Sequence, residues 1–279
     1  MRKWRKSMEI VNLIEDTKGV EACCYEHGLC FYIETKNHKM LLDTGATDKF
    51  LYNAKVLGID LTKVDTVILS HGHYDHTGGV LAFAQINPTA KIYVQKSATG
   101  AFYNYRNQEE KYIGMDERIF NLSQVTFLES DLKIDDELFL FTDVTGRKLW
   151  PKGNEILKKK VGREFIQDDF CHEQYLVVTE GDEKVLVSGC AHNGILNILE
   201  KYKEIYHALP TRVISGFHMM KKNDYTKEDT EMIKETACIL SDTPTIYYSG
   251  HCTGEYPLKL LKNVLKEKIV EIHSGERIL

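Results

Sequence analysis

No stretch of this sequence approaches the roughly 20 consecutive apolar residues needed to span a bilayer, so no membrane-spanning segment is expected. The start, MRKWRKS, is basic but short, and no apolar stretch follows it, so it does not read as a secretion signal. Basic charge is not in excess. The 36 Lys and Arg against 41 Asp and Glu leave a net charge of −5, which provides no broad field for nucleic acid. The seven cysteines are odd in number and follow no framework spacing. They argue for free thiols in a reducing cytoplasm rather than a disulfide scaffold. A G-x-S-x-G nucleophile elbow and a P-loop are both missing, which turns attention away from serine-based chemistry and nucleotide-driven chemistry. Nor does any low-complexity linker divide the chain. With 279 residues, 43% of them hydrophobic, it has ample material for a core. The expectation is a soluble cytoplasmic globular protein. Its oligomeric state is left open.

Short apolar runs punctuate the sequence. LCFYIET (29–35), KMLLDTG (39–45), TVILS (66–70) and KIYVQ (91–95) read as strands, as do TFLES (126–130) and ELFLFTDV (137–144). QYLVVTE (174–180), KVLVSG (184–189), RVISG (212–216) and TIYYSG (245–250) continue the series. Helical patterns cover Gly79–Asn87, Ile195–His207, Lys227–Ser241 and Pro257–Glu267. Strands alternating with helices in the last third suggest α/β construction. The segment 97–165 is the least regular and rich in charge, and reads as an elaboration whose loops border a site.

Four strand ends share one pattern: an apolar strand, a serine, then histidine within a few residues. VILSHGH ends at His71 and His73, VLVSGCAH at His192, RVISGFH at His218 and IYYSGHC at His251. In α/β folds, sites form at loops beyond the carboxyl ends of strands, so these histidines are expected to converge. The densest group is SHGHYDHTGG, where three histidines and Asp75 fall within residues 71–76. Imidazole and carboxylate offer lone pairs at neutral pH and suit zinc and related divalent ions. His71 and His73, two apart, point the same way in an extended loop. Asp75 and His76 turn toward a second ion, and such pairs lie about 3.5–4 Å apart. A single-metal site is the plainer alternative.

SHGHYDHTGG resembles the HxHxDH signature of the metallo-β-lactamase superfamily, and LLDTG (41–45) resembles that superfamily's early strand-end aspartate motif, here Asp43. EHGLCFYIET, SGCAHNGILNI, SGFHM and GHCTGE together resemble the branch typified by 7,8-dihydropterin-6-methyl-4-(ribofuranosyl)aminobenzene-phosphate synthase. The resemblance implies an α+β fold, an αββα sandwich of two facing mixed sheets flanked by helices, as a single domain over residues 1–279. It also implies two divalent ions, zinc foremost, with iron or manganese compatible with the same ligands. By this likeness His71, His73 and His192 hold the first ion, and Asp75, His76 and His251 hold the second. Cys190 stands where the superfamily usually places a bridging aspartate. Its thiolate is a possible further ligand, and a buried inert thiol is the alternative. His172, beside Glu173, rivals His192 as the third ligand of the first ion. His192 is preferred because its loop repeats the strand–serine–histidine pattern.

The remaining candidates have plainer readings beside their functional ones. Asp43 is either a turn residue or a carboxylate that orients a ligand histidine. Asp75 is also a catalytic candidate that steers a water's proton, and His218 is a candidate for substrate contact or acid–base work. His27 is expected near the cleft, where it and His218 bind an anionic group. Cys23, Cys24, His27 and Cys30 lack zinc-knuckle spacing and read as free thiols around a strand start. Lys158–Lys160 with Arg163 read as a solvated helix face, and the aromatics from Phe102 to Tyr112 as packing. The leading functional expectation is a metal-dependent hydrolase, with metal-activated water attacking a small anionic substrate, phosphorylated or pterin-like molecules among the candidates. One alternative is a transferase that condenses a dihydropterin pyrophosphate with an aminobenzene and releases pyrophosphate. Another is a metal-stabilised binding or sensor protein with little turnover.

Overall fold

The computed structural model describes residues 8–106 and 109–279; the basic start MRKWRKS lies outside the described residues. Two mixed sheets form the centre. The first has six strands in the order Glu9–Ile14, Cys30–Glu34, Lys39–Leu42, Thr66–Leu69, Lys91–Gln95 and Val125–Leu128. The first two pairings are antiparallel and the rest parallel. The second has seven strands in the order Ile269–Glu271, Ile246–Ser249, Arg212–Ile214, Glu183–Val187, Tyr175–Glu180, Leu138–Phe141 and Leu132–Lys133. Its first three pairings are parallel and the remainder antiparallel.

Both sheets are apolar on both faces, because each is covered twice. Ile10, Phe31, Leu42 and Ile68 of the first sheet pack against Leu140, Leu176, Val185 and Ile214 of the second. On the outer face of the first sheet, Leu41, Val67 and Ile92 meet Phe50 of the helix Lys49–Val56 and Val80 and Phe83 of Val80–Ile86. Outside the second, Val177, Leu186, Val213 and Tyr247 meet the helices Ile195–Tyr206, Lys227–Ser241 and Glu255–Leu265. Each helix carries one apolar stripe, such as Leu258, Leu261 and Leu265, at the spacing that keeps side chains on one face. The helix Lys227–Ser241 begins with a capping box in which Thr226 and Asp229 satisfy each other's backbone N–H groups. This is the expected αββα sandwich.

The charged middle segment is more regular than its composition suggests. It builds a four-stranded antiparallel sheet in the order Glu164–Gln167, Leu157–Val161, Ala101–Arg106 and Glu109–Tyr112. The lysine run 158–160 is therefore strand, not a helix face. Gly162, at φ +60°, turns the chain back so that Lys158 to Val161 pair with Glu164 to Gln167. Lys160 then lies over aromatic rings, its Nζ 4.9 Å from the Phe165 ring centre and 5.6 Å from that of Tyr103. On its inner side Phe102 and Leu157 pack with Ile113 and Phe170, which fastens this sheet beside the histidine loop.

Candidate functional site

The parallel strands carry their loops to one edge of the sandwich. Lys39–Leu42 delivers Asp43, Thr66–Leu69 delivers the 71–76 loop, Glu183–Val187 delivers Cys190 and His192, Arg212–Ile214 delivers His218, and Ile246–Ser249 delivers His251. Asp43, Ala191, His218 and His251 all have positive φ, between 47° and 63°. Non-glycine residues are uncommon there, and such strain concentrates where surrounding structure imposes a functional geometry.

His71, His73 and His192 form the first cluster, with their donor atoms within 4.8 Å of one another. His71 Nε2 and His73 Nδ1 are 3.0 Å apart. The proton positions follow from the surrounding hydrogen bonds. Ser70 Oγ donates to Asp43 Oδ2 at 2.7 Å, so it accepts from His71 Nδ1 at 2.9 Å, and His71 Nε2 is left bare. His192 Nδ1 donates to Asn154 Oδ1 at 2.9 Å, while Asn154 Nδ2 donates to the His192 carbonyl at 2.7 Å. Among the described residues, the Nε2 atoms of His73 and His192 are buried with no hydrogen-bond partner. Leaving such groups unpaired is costly, so they mark a place for a cation. Burial, reinforced by neighbouring imidazoles, holds His71 and His192 well below the usual imidazole range and His73 at about 3. All three rings are therefore neutral and offer lone pairs.

The second cluster lies alongside. His76 Nε2 is 3.2 Å from Cys190 Sγ, 3.3 Å from His251 Nε2 and 3.7 Å from Asp75 Oδ2, and His251 Nε2 is 3.6 Å from Asp75 Oδ2. A tetrahedron with bonds of about 2.0–2.3 Å has edges of about 3.3–3.8 Å, so these four donors fit one small divalent ion. His76 Nδ1 donates to Asp43 Oδ2 at 2.7 Å, and His251 Nδ1 to Asp16 Oδ1 at 2.6 Å, which leaves both Nε2 atoms facing the cluster. Burial opposes a proton on His251, but the adjacent Asp16 charge and hydrogen bond outweigh it and raise the ring to about 10. Burial likewise opposes ionisation of Asp75, yet His76, His251 and His27 bring it down to about 2. Cys190 is pushed up by burial.

His172 is adjacent but turned to another task. Its Nδ1 accepts from the Gly72 N–H at 3.1 Å and its Nε2 donates to Asp168 at 3.1 Å, so neither nitrogen is left for a cation. The geometry favours His192 over His172 as the third donor. His218 packs against His192 with ring centres 4.0 Å apart and planes tilted by 50°, and its Nδ1 is buried without a partner among the described residues. His27 stands at the cleft mouth, its Nδ1 2.9 Å from Asp16 and its Nε2 3.5 Å from Asp75. Cys23 and Cys30 are buried away from it as free thiols. Phe102 packs on His172 at 4.1 Å between ring centres, as a packing residue would.

Sequence reasoning singled out Asp43 as a carboxylate that orients a histidine, but missed the other residues that hold the imidazoles. Asp16 and Glu15 follow the strand Glu9–Ile14, and Glu15 accepts the His251 N–H at 2.6 Å. Asn154 comes from the irregular segment. Glu173 accepts the N–H groups of His192 at 2.7 Å and of Asn193 at 2.8 Å. These contacts span large sequence separations, and no short motif announces them. The cleft above both clusters has a volume of about 1090 Å³. Its walls include Tyr74, Tyr105, Arg106, Lys111, Lys152, Lys221 and Lys222.

Comparisons with known proteins agree with this architecture. The chain is 26% identical to the 7,8-dihydropterin-6-methyl-4-(β-D-ribofuranosyl)-aminobenzene-5′-phosphate synthase of Methanocaldococcus jannaschii over 98% of this chain and 96% of that protein. It superimposes on Tm1679, described as a metal-dependent hydrolase of the β-lactamase superfamily, with a TM-score of 0.80, 29% identity and 98% of both chains covered. The metallo-β-lactamase fold protein YhfI from Bacillus subtilis, 16% identical, shares the fold at a TM-score of 0.57, covering 98% of this chain and 99% of that one. Residues 26–234, which carry the histidine loop, Cys190, His192 and His218, match the metallo-beta-lactamase superfamily as a family, and the chain belongs to it.

Proposed function

We propose that this protein is a dinuclear metal-dependent hydrolase acting on a small anionic molecule. The observation that carries this reading is the pair of adjacent donor clusters at one sheet edge, in which two buried imidazole nitrogens, those of His73 and His192, have no partner among the described residues. His71, His73 and His192 would hold one divalent ion, and Asp75, His76, His251 and Cys190 the other. Zinc suits this nitrogen, oxygen and sulfur set, and iron or manganese is compatible with most of it. When bound, such ions supply Lewis acidity, lowering the pKa of a water and offsetting charge that develops on substrate.

The chain's own groups do the rest. Asp43, Asn154 and Asp16 fix which nitrogen of His76, His192 and His251 faces the cleft. Asp75, ionised and 3.5 Å from His27 Nε2, holds the side from which a proton leaves the attacking group. His27, half exposed, and His218 both line the cleft and are placed to touch the substrate. Arg106, Lys111 and Lys222 line the outer cleft and favour phosphate or carboxylate there.

A second reading is a transferase in which an amine, not water, displaces a phosphate-type leaving group. It is favoured by the size of the cleft, about 1090 Å³, and by the name of the M. jannaschii synthase, matched over nearly its whole length. One experiment tests both. Metal-reconstituted protein is offered phosphodiester, phosphomonoester and lactone substrates, and separately a dihydropterin pyrophosphate with an aminobenzene. Hydrolysis without the amine supports the first reading. Pyrophosphate release that requires the amine supports the second. Binding of two metals with neither reaction would point instead to a sensor.

A further inference from the structure

Two cysteines, Cys190 and Cys252, meet at the floor of the cleft, brought there by different strands. Both are free and buried, each about 3% exposed, yet both line the cavity and so are open to a small molecule entering it. Their sulfurs lie within 4.8 Å of each other and of a His251 ring nitrogen. The Cys252 thiol donates to the Cys190 carbonyl at 3.5 Å. The space for this sulfur exists because residue 216 is glycine: a Cβ there would stand 2.4 Å from Cys252 Sγ and 3.6 Å from the Cys190 Cα. Cys190 Sγ also faces His76 Nε2 at 3.2 Å; it lies within 4.8 Å of donor atoms of His71 and His192 too, but His71, His73 and His192 form a three-donor set without it.

We infer that Cys190 and Cys252 are an oxidisable thiol pair whose disulfide closes the second metal position while leaving the first intact. The part concerning the metal rests on Cys190 being a donor there, as proposed above. With hydrogen peroxide as oxidant, the sulfur of one cysteine attacks a peroxide oxygen, the O–O bond breaks, and a sulfenic acid and one water form. The second thiol then attacks the sulfenic sulfur, the S–S bond forms, and the sulfenic oxygen leaves as a second water. The two thiol protons end in the waters, both sulfurs are oxidised, and the peroxide oxygens are reduced. A disulfide sulfur carries no thiolate charge, so the second position loses its sulfur donor and keeps only Asp75, His76 and His251. An ion bound to the Cys190 sulfur would shield it from peroxide, so oxidation should be faster in protein stripped of metal.

The test treats the full-length protein, stripped of metal with a chelator, with a modest excess of hydrogen peroxide. Peptide mapping under denaturing conditions should then find the peptides containing Cys190 and Cys252 joined, with the intact mass lowered by two hydrogens. The oxidised protein should take up one fewer equivalent of zinc than the reduced protein, and dithiothreitol should restore it. Zinc added before peroxide should suppress the linked peptide. Cys252→Ala should give no linked peptide and still take up the full metal complement when reduced. Separate oxygen adducts on the two cysteines without a link would overturn the inference, as would a linked protein that still binds the full complement. If instead the reduced wild-type protein binds fewer than two equivalents, the dinuclear reading fails. The linked peptide then still decides the thiol pair.

Discussion

The Asp43 carboxylate and the His76 imidazole are joined by a fully buried hydrogen bond of 2.7 Å, and the same Oδ2 atom accepts from Ser70, which in turn accepts from His71. One carboxylate thus orients a ring in each of the two donor clusters. Its backbone, at φ 63°, is held in the left-handed region to do so.

Replacing Asp43 should therefore weaken both clusters at once. Asp43→Asn keeps the size and tolerates the backbone, but it cannot accept from His76 and Ser70 with a full charge. We expect metal affinity to fall by about 10–100-fold for both equivalents. Competition titration with a chromophoric chelator reads this directly, and loss of one equivalent alone would contradict the shared role.

The clusters should be separable by their own residues. His71→Ala should remove the first ion, and His251→Ala the second, each with loss of turnover. Elemental analysis of the purified variants checks this, and unchanged metal content in both would defeat the donor assignment.

His192 and His172 should part company. His192→Ala should lower metal content, because its free Nε2 faces the first cluster. His172→Ala should leave metal content intact and cost stability instead, since Asp168 would be left buried without its partner. Leaving a buried acceptor without its donor in this way costs about 1–3 kcal/mol, and more for a charged one. Chemical denaturation alongside metal analysis distinguishes the two outcomes.

A pH dependence of stability is built in far from the cleft. His38 donates to Asp65 at 2.9 Å and to Asp135 at 2.6 Å, tying the turn of the first sheet to the edge of the second. Burial opposes its charge, but the two carboxylates outweigh burial and raise its pKa. A raised value means that the stabilisation is fully present below the unfolded pKa, near 6.5, and fades as pH rises through the folded value. The denaturation midpoint of His38→Gln should fall less than that of wild type between pH 6 and pH 9. Parallel curves would remove His38 as the cause.

Much of the architecture was legible in the residues. Buried parallel strands advertise themselves as apolar runs, and KIYVQ and Lys227–Ser241 occur with the bounds read from the sequence. The middle segment was legible only in part: TFLES and ELFLFTDV contain strands, but half-exposed strands such as Leu157–Val161 carry lysines that pattern alone assigns to a solvated face. Glu9–Ile14 also escaped. Its polar positions are masked by burial of Asn12, so no alternation marks it.

The chemistry belongs to the amino-acid order: HGHYDH places four metal-type side chains on one loop after a buried strand, and no folding detail is needed to read that. What folding alone decided is which atoms are free to act. His172 and His192 look alike in one dimension, but Asp168 and the Gly72 amide occupy both nitrogens of the first, and Asn154 occupies only one of the second. Asp16 reaches His251 across 235 positions of chain, and Cys252 comes to lie beside Cys190 from another strand. A ring's proton and a thiol's neighbour depend on contacts distant in sequence, and only the packing of the two sheets brings those contacts into being.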